Sequence, residues 1–128
     1  MFELDKKLAE DSFFISDLKL CRVLLMNNAN YPWLILVPRK QGLVELIDLP
    51  FEKQCEILEE INLVAKILQK KFSPDKLNIA NLGNMVRQLH IHVIARFESD
   101  AAFPRPVWGE AAEPYKKDDA QELIMQIR

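Results

Sequence analysis

Glycine is scarce in this 128-residue chain, with three residues at positions 42, 83 and 109. That scatter excludes a glycine-rich phosphate loop and a dinucleotide-binding fingerprint, both of which need several glycines within a short run. Cysteine is scarce too. Cys21 and Cys55 sit in apolar stretches with no metal-type spacing, so both read as buried free thiols rather than a disulfide or a ligand pair. No apolar run approaches the roughly 20 residues that span a bilayer. The first residues, MFELDKKLAEDSFF, carry acids early and lack the apolar stretch of a secretory signal. The expectation is a cytoplasmic protein with no membrane partner. A surplus of charge is also missing: 17 basic side chains face 19 acidic ones, for a formal net charge of −2. A broad basic field for nucleic acid is thereby excluded. An anionic small molecule stays compatible, because a local cluster of donors is enough to hold one.

What is present is the balance of an ordinary globular domain, 49% hydrophobic and 28% charged. The length suits one domain, 1–128, with a real core. A short helix is expected over 3–10, then strands over Phe13–Ser16 and Leu18–Met26. The run Asn27-Asn28-Ala29-Asn30-Tyr31-Pro32 breaks the second strand with turn-forming residues. Trp33–Pro38 is a continuous apolar run ended by proline and reads as a buried strand.

The clearest element is a helix from Pro50 to Phe72. Ile57, Ile61, Val64, Ala65, Leu68 and Phe72 recur at helical spacing, and Glu52, Lys53, Glu56, Glu59, Glu60, Lys66 and Lys70 occupy much of the remainder. Strands at Leu77–Ala80 and Arg87–Arg96, with a turn at Asn81–Asn84 between them, complete an α+β domain. Its sheet is mostly antiparallel, of about five strands with one long helix across it. A short terminal helix is expected near Asp118–Gln126.

Both histidines lie in Gln88-Leu89-His90-Ile91-His92-Val93. Strand alternation puts Gln88, His90, His92 and Ile94 on one face, and Leu89, Ile91, Val93 and Ala95 on the other. The imidazoles are then roughly 6–7 Å apart along the strand, facing a cleft, while the apolar row packs on the long helix. Three readings of this row stay open. The histidines are satisfied, partly buried polar residues. Alternatively they supply two ligands of a metal site, although zinc needs three or four and no third histidine exists. Or one of them is a nucleophile, a neutral imidazole attacking phosphorus near pH 7.

QLHIHVIAR resembles the signature strand of the histidine-triad (HIT) family, His-φ-His-φ-His-φ-φ with φ apolar. The likeness extends to Trp33-Leu34-Ile35-Leu36-Val37-Pro38-Arg39, similar to the family's apolar strand ending in Pro-basic, followed by a loop and the long helix. Order and spacing agree over a core of about 13–96, leaving 97–128 as a tail. The resemblance implies a HIT-like fold and a homodimer. It also implies a nucleotide hydrolase or nucleotidyl transferase that acts at the α-phosphate of a purine nucleotide through a covalent nucleotidyl-histidine. His90 takes the place of the nucleophile and His92 contacts the phosphate. Asn27 falls near the ribose and Asn81 near the phosphates, and Gly83 and Asn84 end the phosphate-side loop. No metal or other cofactor is required.

The chain departs from the family pattern at four points. Gln88 stands at the first triad position, where it can exchange hydrogen bonds but carries no charge. Met85 stands where many members place a Ser or Thr that contacts the leaving group. Gln41 replaces a further histidine, and the loop from Asn81 to Gln88 is short. These changes keep in play a rival expectation of a weakly active or inactive nucleotide-binding module on the same fold. Arg39, Arg87 and Arg96 either face an anionic substrate or are solvated strand-end arginines, and the second reading is the favoured one. Trp108 reads as an anchor for the tail or as a cover over a partner's site.

Overall fold

The chain forms five strands, β1 (Ser12–Asp17), β2 (Cys21–Met26), β3 (Trp33–Pro38), β4 (Lys76–Ala80) and β5 (Ile91–Arg96). Three helices accompany them, α1 (Lys6–Asp11), α2 (Phe51–Phe72) and α3 (Lys117–Ile127). The computed structural model describes residues 1–128. The strands make one sheet in the order β1-β2-β3-β5-β4, and every pairing is antiparallel. The expected α+β architecture is therefore the observed one.

Both faces of the sheet's centre are covered, so β3 and β5 are buried along their whole length and β3 reads as an unbroken apolar run. Leu34, Leu36, Ile91 and Val93 project toward α2 and join Ile57, Ile61, Val64 and Leu68 in the larger core. Trp33, Ile35, Val37 and Ile94 project the other way, onto Leu8 of α1 and onto Ala102 and Val107 of the C-terminal segment. The histidines belong to this second side. No helix is long and apolar enough to cross a membrane.

Local hydrogen bonding moves several expected boundaries. The first helix forms over Lys6–Asp11 rather than 3–10, because Asp5 caps it by accepting from the Lys7 and Leu8 amides at 2.8 and 3.4 Å. β2 begins at Cys21 rather than Leu18, since the Leu18 amide closes a turn onto the Cys21 carbonyl. Glu60 is buried, not surface-facing as the helical pattern suggested. Its two carboxylate oxygens accept from the Leu20 and Cys21 amides, each at 2.9 Å. Cys21 is buried and its thiol is pushed well up by that burial, then by Glu60. Cys55 is exposed, contrary to expectation, because it sits on the side of α2 turned away from Ile57 and Ile61.

The largest correction concerns β5, which starts at Ile91 and not at Arg87. β3 pairs Leu36 with Ile91. Continuing that register would set Pro38 opposite Leu89, and proline has no N–H to extend the ladder. The Leu89 amide instead donates to the Leu43 carbonyl at 2.9 Å. The backbone from Gln88 to His90 is thus freed from strand alternation.

Candidate functional site

A cleft of about 390 Å³ opens on the side of the sheet away from α2. One wall is α1, through Lys7, Leu8 and Asp11, and another is the loop Leu82–Val86. His90, His92, Ile35 and Met26 form its sheet side, and Trp108 closes it from the C-terminal segment. Gly83 lets the loop curl here: its φ is +78°, and an added Cβ would meet the Val86 carbonyl oxygen at 3.3 Å.

The two rings are buried and meet edge to face, with centroids 4.9 Å apart. That is closer than the 6–7 Å of a regular strand, because His90 lies just outside β5. Each ring has a different partner at Nδ1, and the partners dictate opposite tautomers. The Trp33 indole N–H can only donate, and it donates to His92 Nδ1 at 3.0 Å. His92 therefore carries its proton on Nε2. The Gln88 carbonyl can only accept, so His90 Nδ1 donates to it at 2.7 Å. His90 is left with a lone pair on Nε2. One ring presents an unprotonated nitrogen, and its neighbour presents an N–H.

Burial, and secondarily the nearby His90, push His92 down to about 4, so it is neutral at pH 7. Trp108 reinforces this dry setting, with its ring 5.0 Å from His92 and 5.6 Å from Trp33, edge to face in both cases. Replacing Trp33 by Phe removes the indole donor but keeps most of the apolar surface. We expect His92 to change from one tautomer to a mixture, since a single hydrogen bond contributes about 1 kcal/mol net. Nitrogen-15 NMR of the histidine rings reads this directly, and an unchanged Nε2–H signal would contradict it.

The structure brings some of the predicted residues together and not others. His90, His92, Gly83 and Asn84 line the cleft, together with Met85, which is almost fully exposed. Asn81 is not part of the lining. Asn27 lies in an adjoining cavity of about 300 Å³ that shares Asp11, Met26 and Trp108 with the cleft. Its side-chain oxygen accepts from the Tyr115 amide at 2.8 Å. Gln88 is turned away, against the expectation that it shares a face with His90 and His92. Its amide binds the backbone of Glu3 and Asp5, because the strand alternation that would have aligned it does not reach that far.

Arg96 is a further correction. It is buried rather than solvated, paired with Asp100 at 2.8 Å. Arg39 caps the Leu18 and Lys19 carbonyls and does not reach the cleft, and Arg87 is exposed. Lys7, Leu8, Asp11 and Trp33 are site residues that no sequence motif marks. Trp33 was within reach. Opposite Ile94 in the β3–β5 register, it is the diagonal neighbour of His92. No three His, Cys, Asp or Glu side chains gather closely enough to hold a metal ion.

Comparison with known proteins places the fold. The HIT domain matches residues 7–99. A histidine triad protein from Bradyrhizobium japonicum is 46% identical and superposes with a TM-score of 0.95, covering 98% of this chain and 95% of its own. A histidine triad (HIT) protein from Sinorhizobium meliloti 1021 is 44% identical with a TM-score of 0.95, covering 98% and 94%. A histidine triad protein from Marinobacter aquaeolei VT8 is 41% identical with a TM-score of 0.96, covering 100% and 94%. No curated protein matches the chain.

Proposed function

The chain belongs to the HIT-domain family, of nucleotide-binding and hydrolase type, and on that premise we propose that it cleaves a purine nucleotide at its α-phosphate through a nucleotidyl-His90 intermediate. The observation that carries this reading is the pair of opposed tautomers. His90 offers an Nε2 lone pair inside the cleft, and His92 offers an Nε2–H beside it.

In the first step His90 Nε2 attacks the α-phosphorus. A P–N bond forms, and the bond to the leaving group breaks with its electron pair. The leaving atom is the oxygen of a phosphoanhydride, which departs as a phosphate anion, or the nitrogen of a phosphoramidate, which takes a proton from solvent and departs as the amine. The ring becomes cationic, and the Gln88 carbonyl stabilises it by accepting the Nδ1–H. Water then attacks phosphorus and gives up a proton to solvent, the electron pair of the P–N bond returns to His90 Nε2, and the nucleoside monophosphate leaves. Splitting one displacement into two lowers each barrier. Most of the remaining work is positioning and charge stabilisation. His92 supplies a neutral donor to a non-bridging oxygen, and the loop at Gly83 and Asn84 borders the phosphates. Asn27 and the adjoining cavity fit the ribose, with Asn81 farther along the phosphate side. Met85 has no hydroxyl to offer a leaving group, which favours one that departs without help from that position. The reading calls for no metal or other cofactor. It includes a homodimer in the cytoplasm, where the free edge of β4 with exposed Ile79 is a surface for a second copy.

The test is to incubate the protein with adenosine phosphoramidate, ADP, ATP and diadenosine polyphosphates, following products by chromatography and the protein by intact mass. AMP release, with a quenched adduct of one nucleotidyl group that peptide mapping puts on His90, is the expected result. Nucleotide bound with neither turnover nor adduct would leave a binding module on the same fold.

A further inference from the structure

Gln88 lies outside the cleft, yet it makes more directed contacts than its neighbours. Its side-chain oxygen accepts from the Asp5 amide at 2.8 Å, and its side-chain nitrogen donates to the Glu3 carbonyl at 3.0 Å. Its own carbonyl holds His90 Nδ1. We infer that Gln88 is a positioning residue, clasping the N-terminal segment to the residue that orients the nucleophile and so fixing the distance between His90 and the α1 wall. The inference rests on His90 being the nucleophile.

The chemistry of the amide suits this place. The Glu3 carbonyl and the Asp5 N–H call for one donor and one acceptor pointing the same way from a single planar group. A glutamine amide has that arrangement. A glutamate lacks the donor. An imidazole has one donor and one acceptor, but they diverge across the ring, and asparagine is shorter by one methylene. Gln41 adds a second fastening, its side-chain oxygen accepting from the Glu3 amide at 2.9 Å.

What the clasp holds is the start of α1. Asp5, gripped through its amide, caps the helix with its carboxylate. One turn on, Lys7, Leu8 and Asp11 face the same cleft as His90. Nucleophile and wall come from distant parts of the sequence, and α1 is only six residues long. A helix that short has little stability of its own, so its position depends on such fastenings. Gln88 thus does not stand in for a lost imidazole, and Gln88→His should lower activity instead of raising it.

A double-mutant cycle of Gln88→Ala with Asp5→Pro tests the clasp in the full-length chain. Asp5 has φ −52°, which proline adopts without strain, and the substitution deletes the N–H that Gln88 accepts. Loss of the helix cap is common to both Pro variants and cancels in the cycle. We expect Gln88→Ala to lower kcat about ten-fold with KM within about two-fold, and to add about three-fold or less in the Asp5→Pro background, where the bond to the Glu3 carbonyl is the one still left to lose. An effect of equal size in both backgrounds, or no effect of Gln88→Ala, overturns the inference.

A second readout does not depend on turnover. In Gln88→Ala, hydrogen exchange at the Asp5 amide should accelerate, and the Leu8 methyl signals should shift while the fold is retained. If the wild type proves inactive, the reaction proposed for His90 falls. The clasp then stands or falls on this second readout, and an Asp5 amide as protected as in the wild type overturns it.

Discussion

His90→Ala is expected to abolish nucleotidyl transfer, lowering kcat/KM on the order of 10⁴-fold or more, as loss of a covalent nucleophile does in other enzymes. At 1.36 kcal/mol per decade this is roughly 5 kcal/mol of transition-state stabilisation. The fold should survive. His90 precedes β5 and contributes no ladder pair, and its one hydrogen bond is to the Gln88 carbonyl. His92→Ala is the instructive contrast. It strands a buried indole N–H on Trp33, at a cost of about 1–3 kcal/mol in stability, while leaving the nucleophile in place. A His90→Ala protein that is folded, still binds nucleotide and forms no adduct is the expected result. Turnover near the wild-type rate would remove His90 from the mechanism.

Arg96→Met is expected to destabilise the chain by about 3–5 kcal/mol, the usual consequence of taking one partner from a buried ion pair. Against a total of roughly 5–15 kcal/mol for a domain, that is a large share. The side chains of Arg96 and Asp100 are 2% and 3% exposed. Arg96 donates twice to Asp100, once to Asn78 and once to the Arg105 carbonyl. Its guanidinium also lies over the rings of Tyr31 and Phe103. Methionine fills the stem's volume but leaves the Asp100 carboxylate with backbone amides alone.

The pair has a pH signature as well. Burial pushes the Asp100 carboxyl up, but Arg96 and the Phe97 and Phe103 amides outweigh it and bring the group down to about 2. Because the folded value lies below the ordinary 3.8, the stability it adds is complete above about pH 4 and is lost as pH falls toward 2. Urea titrations at neutral pH and through this acid range would measure both effects. An unchanged midpoint for Arg96→Met would contradict the account.

What the sequence disclosed and what it hid divide along a physical line. α2 and β3 were legible because their patterns report burial by their own neighbours: a 3.6-residue repeat in one and an apolar run stopped by Pro38 in the other. The tandem histidines were legible because residue type and spacing carried the chemistry. Arg96 was not, since an arginine at a strand end looks the same whether it is solvated or closed around Asp100. Gln88 was misplaced for a subtler reason. Its apolar-polar alternation with Leu89 and His90 continues the pattern of β5, but the ladder ends at Ile91 because Pro38 has no N–H to extend it. Glu60 shows a similar blind spot, because its partners are backbone amides at Leu20 and Cys21, and any sequence supplies amides.

The HIT-domain match stops at residue 99, but the wrapping does not. Asp100 completes the Arg96 lock, Val107 enters the second core, and Trp108 closes over His92. The Tyr115 and Glu113 amides fasten to Asn27 and Asn28, Ile124 joins the core under β1, and Arg128 binds the Ile15 carbonyl. The end of the HIT-domain match and the boundary of mechanical integrity are therefore different places. A fragment trimmed to residue 99 would keep the motif and both histidines, yet it would leave an arginine without its acid, a sheet face without cover and a cleft without its C-terminal wall.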